Sequence, residues 1–175
     1  MKKIILVVAM ISGMLFMQSC VREEVVVEDT VDYDTISEVW EYSNVDFHSG
    51  NNFSVLIDYP HTIYASDMVL IYRLAGVGAG GDEWKLLPET YYFDDGTLDF
   101  GYKNDFTQYD AKIDLYGYDL PGLSSAYRLD QVFRIVVIPA YFGKMAQGKT
   151  VDTSNYKEVI AFYGIDETKL KKISK

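Results

Sequence analysis

The chain has 175 residues, of which 26 are acidic and 16 are basic, and its formal net charge is −10. A surface this acidic repels nucleic acid, because proteins bind the phosphate backbone chiefly through lysine and arginine. We therefore expect no nucleic-acid partner. The chain has one cysteine, Cys20, and this excludes an internal disulfide and a zinc site of the four-cysteine kind.

The N-terminal residues have the pattern of a secretory leader. Lys2 and Lys3 precede an apolar run, 4–17, of 14 residues, which is shorter than the roughly 20 residues of a membrane-spanning helix. Cys20 follows directly after the small residue Ser19. This arrangement resembles the lipobox of bacterial lipoproteins, in which the leader is cut before the cysteine and acyl chains such as palmitate are attached. We predict a signal peptide over 1–19 and lipidation of Cys20; the alternative is ordinary cleavage nearby, which leaves a free thiol.

An acidic segment separates this cysteine from the rest of the chain. Residues 21–35 carry six acids and one arginine, and clustered like charge favours an extended chain. We expect residues 20–37 to form a tether anchored to the membrane by its lipid. The alternative is that Val25, Val26 and Val27 join the fold as an edge strand.

Between Trp40 and Ala140 the apolar residues recur with a period of two, which is typical of β-strands. The pair Asp95-Gly96 between two such runs predicts a hairpin. The predicted strands are 53–59, 67–73, 84–87, 91–93, 97–102, 112–118 and 131–138. Short strands without helices between them predict a mainly β fold, an antiparallel β-sandwich or a jelly roll, and their spacing leaves this choice open.

The last part of the chain changes to the period of a helix. Ser154 is expected to cap a short helix that Gly164 ends, and Asp166 to cap a final turn or two bearing Leu170 and Ile173. One side of the first helix carries Tyr156, Val159, Ile160 and Tyr163. We predict a single β-sandwich domain over 38–175 with a C-terminal helical segment.

Several of these segments also carry a family resemblance. They are residues 40–42, 67–74, 84–88, 90–93 with Asp95-Gly96, and 132–140. They resemble an uncharacterised family of Bacteroidota lipoproteins, whose domain also occurs beside collagen-like repeats. The resemblance covers residues 38–173. It implies the outer membrane as the compartment, leaves open whether the domain faces the periplasm or the cell exterior, and implies no activity.

The sequence offers little that is typical of catalysis. His48 and His61 lack the spacing of a zinc site, and no Gly-x-Ser-x-Gly nucleophile motif is present. The glycine-rich segment 76–81 lacks the Lys-Ser/Thr of a phosphate loop and instead predicts a connection between strands. We therefore expect no catalytic residues and no enzyme activity.

Aspartates recur through the middle of the chain and are suitable calcium ligands, since calcium takes six to eight oxygens. They are Asp94, Asp95, Asp99, Asp105, Asp110, Asp114 and Asp119. No EF-hand pattern connects them, and Asp99 and Asp114 also fit the solvent side of alternating strands. We expect no cofactor, with calcium as the alternative.

Tyrosine is the most suggestive remaining residue type, with 15 copies. On the predicted strand 112–118, Ile113 and Leu115 share one side, while Tyr116 and Tyr118 share the other. Two neighbouring exposed tyrosines are a candidate platform for sugar rings or a partner protein. The alternative is cross-strand packing, because tyrosine is favoured on half-exposed sheets. Arg134, in the most apolar strand, is expected to find a carboxylate partner if its side of the sheet is covered.

Together these observations predict a lipid-anchored envelope protein with a non-catalytic interaction or structural β domain. The alternative is a surface carbohydrate-binding module that uses Tyr116 and Tyr118.

Overall fold

A computed structural model of the protein describes residues 36–145 and 148–175. The predicted signal peptide 1–19, Cys20 and the tether up to residue 35 lie outside the described residues. Within them, no helix is long and apolar enough to cross a membrane.

Nine strands lie in the described residues. They are β1 (Glu38–Val45), β2 (Ser54–Asp58), β3 (Met68–Gly78), β4 (Gly81–Leu86), β5 (Glu89–Tyr92), β6 (Leu98–Phe106), β7 (Asp110–Gly117), β8 (Gln131–Ile138) and β9 (Lys171–Ser174). Two short helices, α1 (Ala140–Met145) and α2 (Tyr156–Phe162), lie near the C-terminus.

The strands form two sheets, one of five strands in the order β4-β3-β8-β1-β9 and one of four in the order β2-β7-β6-β5. All neighbouring strands are antiparallel except β1 and β9. The predicted mainly β sandwich is confirmed. Successive strands β5, β6 and β7 are neighbours in one sheet, as are β3 and β4, whereas a jelly roll alternates most successive strands between its sheets. The order therefore favours a simple sandwich over a jelly roll.

All the predicted strands are present, 131–138 with the predicted ends and the others with shifted ends, and two segments differ from expectation. β1 begins two residues before the alternating region and continues into it, but it is not among the predicted strands. The glycine-rich segment 76–81 is part of a hairpin, because β3 continues to Gly78 and pairs with β4 from Gly81 onward. Gly81 has a φ of +101°, which a residue with a Cβ rarely adopts, so glycine is needed at this turn.

Helix α2 begins one residue later than predicted. Its cap is Asn155, whose side chain accepts a hydrogen bond from the Glu158 amide at 3.3 Å. Ser154 is instead bound to Asp152, to which its hydroxyl donates at 2.7 Å. The helix ends as predicted, since Gly164 follows it with a φ of +63°.

The end of the chain was predicted in part. Asp166 caps a 3₁₀ turn, Glu167–Lys169, by accepting a hydrogen bond from Thr168. The prediction of a helical Ile173 was wrong, because the chain extends into β9 and Ile173 pairs with Tyr42 in parallel register. The physical reason is the open edge of β1, whose unpaired amides and carbonyls accept a further strand.

Two apolar cores make the domain a structure of three layers. The larger core lies between the sheets and includes Trp40, Tyr42, Phe47, Ile71, Tyr102, Ile113 and Phe133. The smaller core lies on the other side of the five-stranded sheet, under the C-terminal segment, and includes Val39, Tyr72, Val136, Tyr156, Val159 and Ile165. The predicted inner side of α2 is confirmed, with Ile160 and Tyr163 packed against this second core.

A buried ion pair connects the two sheets. Arg73 on β3 is 3% exposed, and its Nε donates to Glu89 Oε2 on β5 at 2.9 Å. Its Nη2 donates to Glu89 Oε1 at 3.2 Å and to the Tyr91 hydroxyl at 2.8 Å. The guanidinium also lies 4.8 Å from the centre of the Tyr102 ring. Since β3 and β5 belong to different sheets, this cluster ties one sheet to the other.

Arg134 on β8 makes the corresponding connection on the outer side of the five-stranded sheet. Its Nε donates to Glu41 Oε2 at 2.9 Å, and its Nη1 donates to Glu167 Oε1 at 2.7 Å and to the Tyr156 hydroxyl at 2.8 Å. The predicted carboxylate partner is therefore confirmed. Glu41 is on β1, whereas Glu167 and Tyr156 belong to the C-terminal segment, so Arg134 ties that segment to the sheet.

Charged partners lower the pKa of both sheet carboxylates that pair with these arginines. Burial of Glu89 raises its pKa, but hydrogen bonds from Arg73 and Tyr91 and the nearby charges of Arg73 and Lys85 outweigh this effect. Burial of Glu41 is likewise outweighed by Lys172 and Arg134. Both carboxylates are therefore ionised at neutral pH and bind their arginines as charged groups.

We predict that Glu89→Gln destabilises the domain by about 3 kcal/mol at neutral pH, because it leaves the Arg73 charge buried without a counter-charge. The pKa of Glu89 is lowered by folding, so its stabilising effect is complete above the ordinary pKa of a glutamate and is lost as the pH falls through the lowered value. The difference between the two proteins should therefore shrink at acidic pH. Urea unfolding at neutral and acidic pH measures both effects.

Glu83→Gln is the matched control, because Glu83 is an exposed carboxylate on β4 and its loss should change stability by less than about 0.5 kcal/mol. An equal loss in the two variants would contradict a special role for the buried pair.

Candidate functional site

The outer side of the four-stranded sheet is the exposed broad surface of the sandwich. The opposite surface of the domain, beyond the five-stranded sheet, is covered by the C-terminal segment. On the four-stranded sheet, by contrast, the outward residues Leu56, Thr90, Lys103 and Lys112 are exposed. The predicted Tyr116 and Tyr118 both belong to this side by strand alternation.

Tyr116 lies across a glycine on the neighbouring strand. It pairs with Gly101 of β6, and a Cβ built on Gly101 would lie 2.6 Å from the Cζ and hydroxyl of Tyr116. The Tyr116 hydroxyl also shares a hydrogen bond of 2.9 Å with the Thr90 hydroxyl on β5. The ring therefore reaches from β7 over β6 to β5 and is fixed at its hydroxyl end. This is the cross-strand packing that the sequence left as an alternative.

Tyr118 is placed differently. It follows the last residue of β7, and its amide donates to the Asp99 carbonyl at 2.8 Å. Its side chain is 85% exposed. Neither this ring nor that of Tyr116 stacks on another aromatic ring of the described residues. The sheet therefore presents one tyrosine that is fixed and one that is free to meet a partner.

Sequence reasoning missed two further members of this surface. Tyr92 and Leu98 pair across β5 and β6 and are 64% and 40% exposed. A bulge in β6 explains Leu98, because Phe100 pairs with Tyr91 but Leu98 pairs with Tyr92, and the extra residue between them reverses the side to which Leu98 points. Simple alternation places Leu98 inside with Phe100. We call the surface formed by Thr90, Tyr92, Leu98, Tyr116 and Tyr118 the tyrosine face.

Charged residues continue this side of the sheet beyond the tyrosine face. Asp114 lies beside Lys112 at 3.0 Å and Lys103 at 3.8 Å. Partial burial raises the pKa of Asp114, but hydrogen bonds from Ser54 and Lys112 and the two lysine charges lower it below its usual range. This carboxylate is therefore ionised and already paired.

The aspartates that the sequence offers as calcium ligands are dispersed. Asp95 accepts hydrogen bonds from Thr97, Asp110 from Thr107 and Asp119 from the Gly122 amide. In the described part of the chain, no group of three or more histidine, cysteine, aspartate or glutamate side chains is placed to hold a metal ion.

Comparison of the chain with protein-family models, with curated proteins and with solved structures finds no match.

We predict that the two tyrosines differ in their effect on stability. Tyr116→Ala should cost about 1 kcal/mol, because it uncovers Gly101 and leaves the Thr90 hydroxyl without its partner. Tyr116→Phe should cost about half as much, because the ring still covers the glycine. Tyr118→Ala should stay within about 0.5 kcal/mol of the unsubstituted chain. Urea unfolding of the variants measures this, and equal losses at positions 116 and 118 would show that Tyr116 is not packed as described.

Proposed function

We propose that this chain is a lipid-anchored protein of the bacterial cell envelope whose β-sandwich is a non-catalytic interaction domain. The anchor is Cys20, and its support is the short apolar leader, the position of the cysteine directly after it and the acidic tether that follows. The resemblance to Bacteroidota lipoproteins supports the outer membrane as the compartment. Acylation of this kind stabilises membrane attachment by about 0.8 kcal/mol per buried methylene, so two or three chains are enough for a stable anchor.

The tyrosine face is the proposed interaction surface, and one observation carries this proposal. Tyr118, Tyr92 and Leu98 are large side chains left exposed on the broad surface that no described helix covers. Tyrosine loses little conformational entropy when it is bound and is enriched at the centres of protein interfaces. A contiguous group of such residues is typical of a surface that meets a protein partner.

We propose no catalytic activity, because the buried polar side chains have structural roles. The two buried arginines and their carboxylate partners connect layers of the fold. Each carboxylate in these clusters pairs with a cation in the described residues, so we assign these groups to stability.

A carbohydrate ligand is the second candidate for the same surface. The observation that favours it is the position of Tyr116, which lies over Gly101 and is held there by Thr90. A ring fixed in this way offers a surface for the apolar side of a sugar. Hydroxyl, ammonium and carboxylate groups nearby, on Thr90, Lys103 and Asp114, can bind the sugar hydroxyls.

We predict that mass spectrometry of the native protein finds an acylated Cys20 at the mature N-terminus. Cys20→Ser should lack this mass, because serine has no thiol to which the acyl chains can be attached. Ser19→Ala is the control, since it keeps both the cysteine and a small residue before it. An unmodified mature N-terminus at another residue would refute the anchor.

We predict that the double variant Tyr116→Ala/Tyr118→Ala loses binding through the tyrosine face while remaining folded. A glycan array tests the carbohydrate candidate, and site-specific photocrosslinking from position 118 in the native envelope tests the protein candidate. The control is position 109, because Tyr109 is 63% exposed in the turn between β6 and β7.

Each outcome decides between the candidates. A protein crosslinked from position 118 but not from position 109 supports the protein partner. A glycan bound by the unsubstituted chain and lost in the double variant supports the carbohydrate ligand. If position 118 gives no specific crosslink and no glycan binding depends on these tyrosines, the tyrosine face is not the binding surface.

A further inference from the structure

A cleft is present on the side of the domain opposite to the tyrosine face. It lies beside β4 and the first residues of α2, has a volume of about 370 Å³ and is open to solvent. This volume is within the range of about 300–1,000 Å³ typical of small-molecule sites. The cleft is lined by Asp82, Trp84, Asp152, Ser154, Asn155, Tyr156 and Lys157. Because it belongs to the outer side of the five-stranded sheet, it is separate from the tyrosine face.

Trp84 is the aromatic element of the cleft and is held by its neighbours. The Arg134 guanidinium carbon lies 4.2 Å from the centre of the Trp84 ring, and the Tyr156 ring centre lies 5.7 Å away. Trp84 nevertheless remains half-buried and contributes to the lining. Arg134 is itself fixed by Glu41 and Glu167, so the indole is oriented before any ligand arrives.

Groups of both charges surround this ring. The Asp82 side chain is exposed and makes no hydrogen bond or ion pair with the described residues. Asp152 accepts the amide and hydroxyl of Ser154 through its Oδ1 alone, which leaves Oδ2 available to a ligand. Lys157 reaches toward the β3–β4 hairpin, where its Nζ lies 3.4 Å from the Gly80 carbonyl. The cleft therefore offers two acceptors and one donor.

The charges and hydrogen-bonding capacity of these side chains indicate the class of ligand. Two carboxylates disfavour phosphates and other anions, and Lys157 offsets the charge of one of them. A hydroxyl group suits both kinds of side chain, because it donates to a carboxylate and accepts from an ammonium. The face of the indole suits a ring with an apolar side. We propose that this cleft binds a neutral sugar, with one sugar ring against Trp84 and its hydroxyls bound by Asp82, Asp152 and Lys157.

Tryptophan fluorescence of the full chain tests this site directly. The chain has two tryptophans, and Trp40 is 2% exposed in the core, so a sugar in the cleft should change the emission of Trp84 alone. Titration with a panel of neutral mono- and disaccharides should give a saturable change in the millimolar range for at least one of them. Trp84→Phe should abolish the change in emission.

Matched substitutions keep the test specific. Asp82→Asn should weaken binding about tenfold, because the charge-assisted hydrogen bond is replaced by a neutral one. Asp94→Asn removes an exposed carboxylate from the β5–β6 hairpin on the other sheet and should leave the affinity unchanged. Since the Asp82 side chain has no partner in the described residues, loss of folding is not expected in its variant, and circular dichroism checks this.

The possible failures are distinct from those of the tyrosine face. The cleft proposal is overturned if no sugar of the panel gives a saturable signal, or if Asp82→Asn and Asp94→Asn bind equally well. It is also overturned if the signal disappears in Tyr116→Ala/Tyr118→Ala but persists in Asp82→Asn, since the sugar then occupies the tyrosine face. A retained signal in the double tyrosine variant, together with a weakened one in Asp82→Asn, supports the cleft whether or not the tyrosine face has a ligand.

Discussion

The ion pair between Arg73 and Glu89 is the constraint on which the arrangement of layers depends. A charged side chain inside a sandwich costs several kcal/mol of desolvation unless a counter-charge and hydrogen bonds meet it in one geometry. Arg73 comes from the five-stranded sheet, and its partners Glu89 and Tyr91 come from the other. The sheets therefore have one favourable position relative to each other at this edge. An apolar core alone restricts such sliding less, because burial of apolar surface has no direction.

Arg134 likewise connects two layers, in this case the five-stranded sheet and the C-terminal segment outside it. Its register partner on β3 is Tyr72, the residue next to Arg73, so the two arginines leave the five-stranded sheet on opposite sides at nearly the same level. One attaches the second sheet and the other attaches the C-terminal segment through Glu167 and Tyr156. Covering that side of the sheet also brings α2 beside Trp84 and so creates the cleft. A candidate binding feature is thus a consequence of how a buried charge is neutralised.

The sequence was sufficient for the elements whose cause is local. Alternation located seven of the nine described strands, Asp95-Gly96 located a hairpin, and the need of a buried arginine for a counter-charge anticipated the carboxylates of Arg134. It was insufficient where the cause lies elsewhere in the chain. β9 forms because β1 has an open edge, although Leu170 and Ile173 have helical spacing. The cleft brings Asp82 and Trp84 next to residues about 70 positions later, and local periodicity carries no information on that distance.

Tyr116 and Tyr118 also show that local periodicity does not predict contacts with other strands. Alternation correctly assigned Tyr116 and Tyr118 to the outer side of the sheet, but it did not distinguish a packed side chain from an exposed one. Their difference comes from the neighbouring strands, since Gly101 on β6 leaves room for the Tyr116 ring and Thr90 on β5 holds its hydroxyl. Nothing comparable among the described residues holds Tyr118. The bulge that turns Leu98 outward adds an apolar neighbour that alternation had assigned to the core. Two residues that look alike in the sequence therefore differ in the proposed binding surface, where Tyr116 is fixed to the sheet and Tyr118 is exposed.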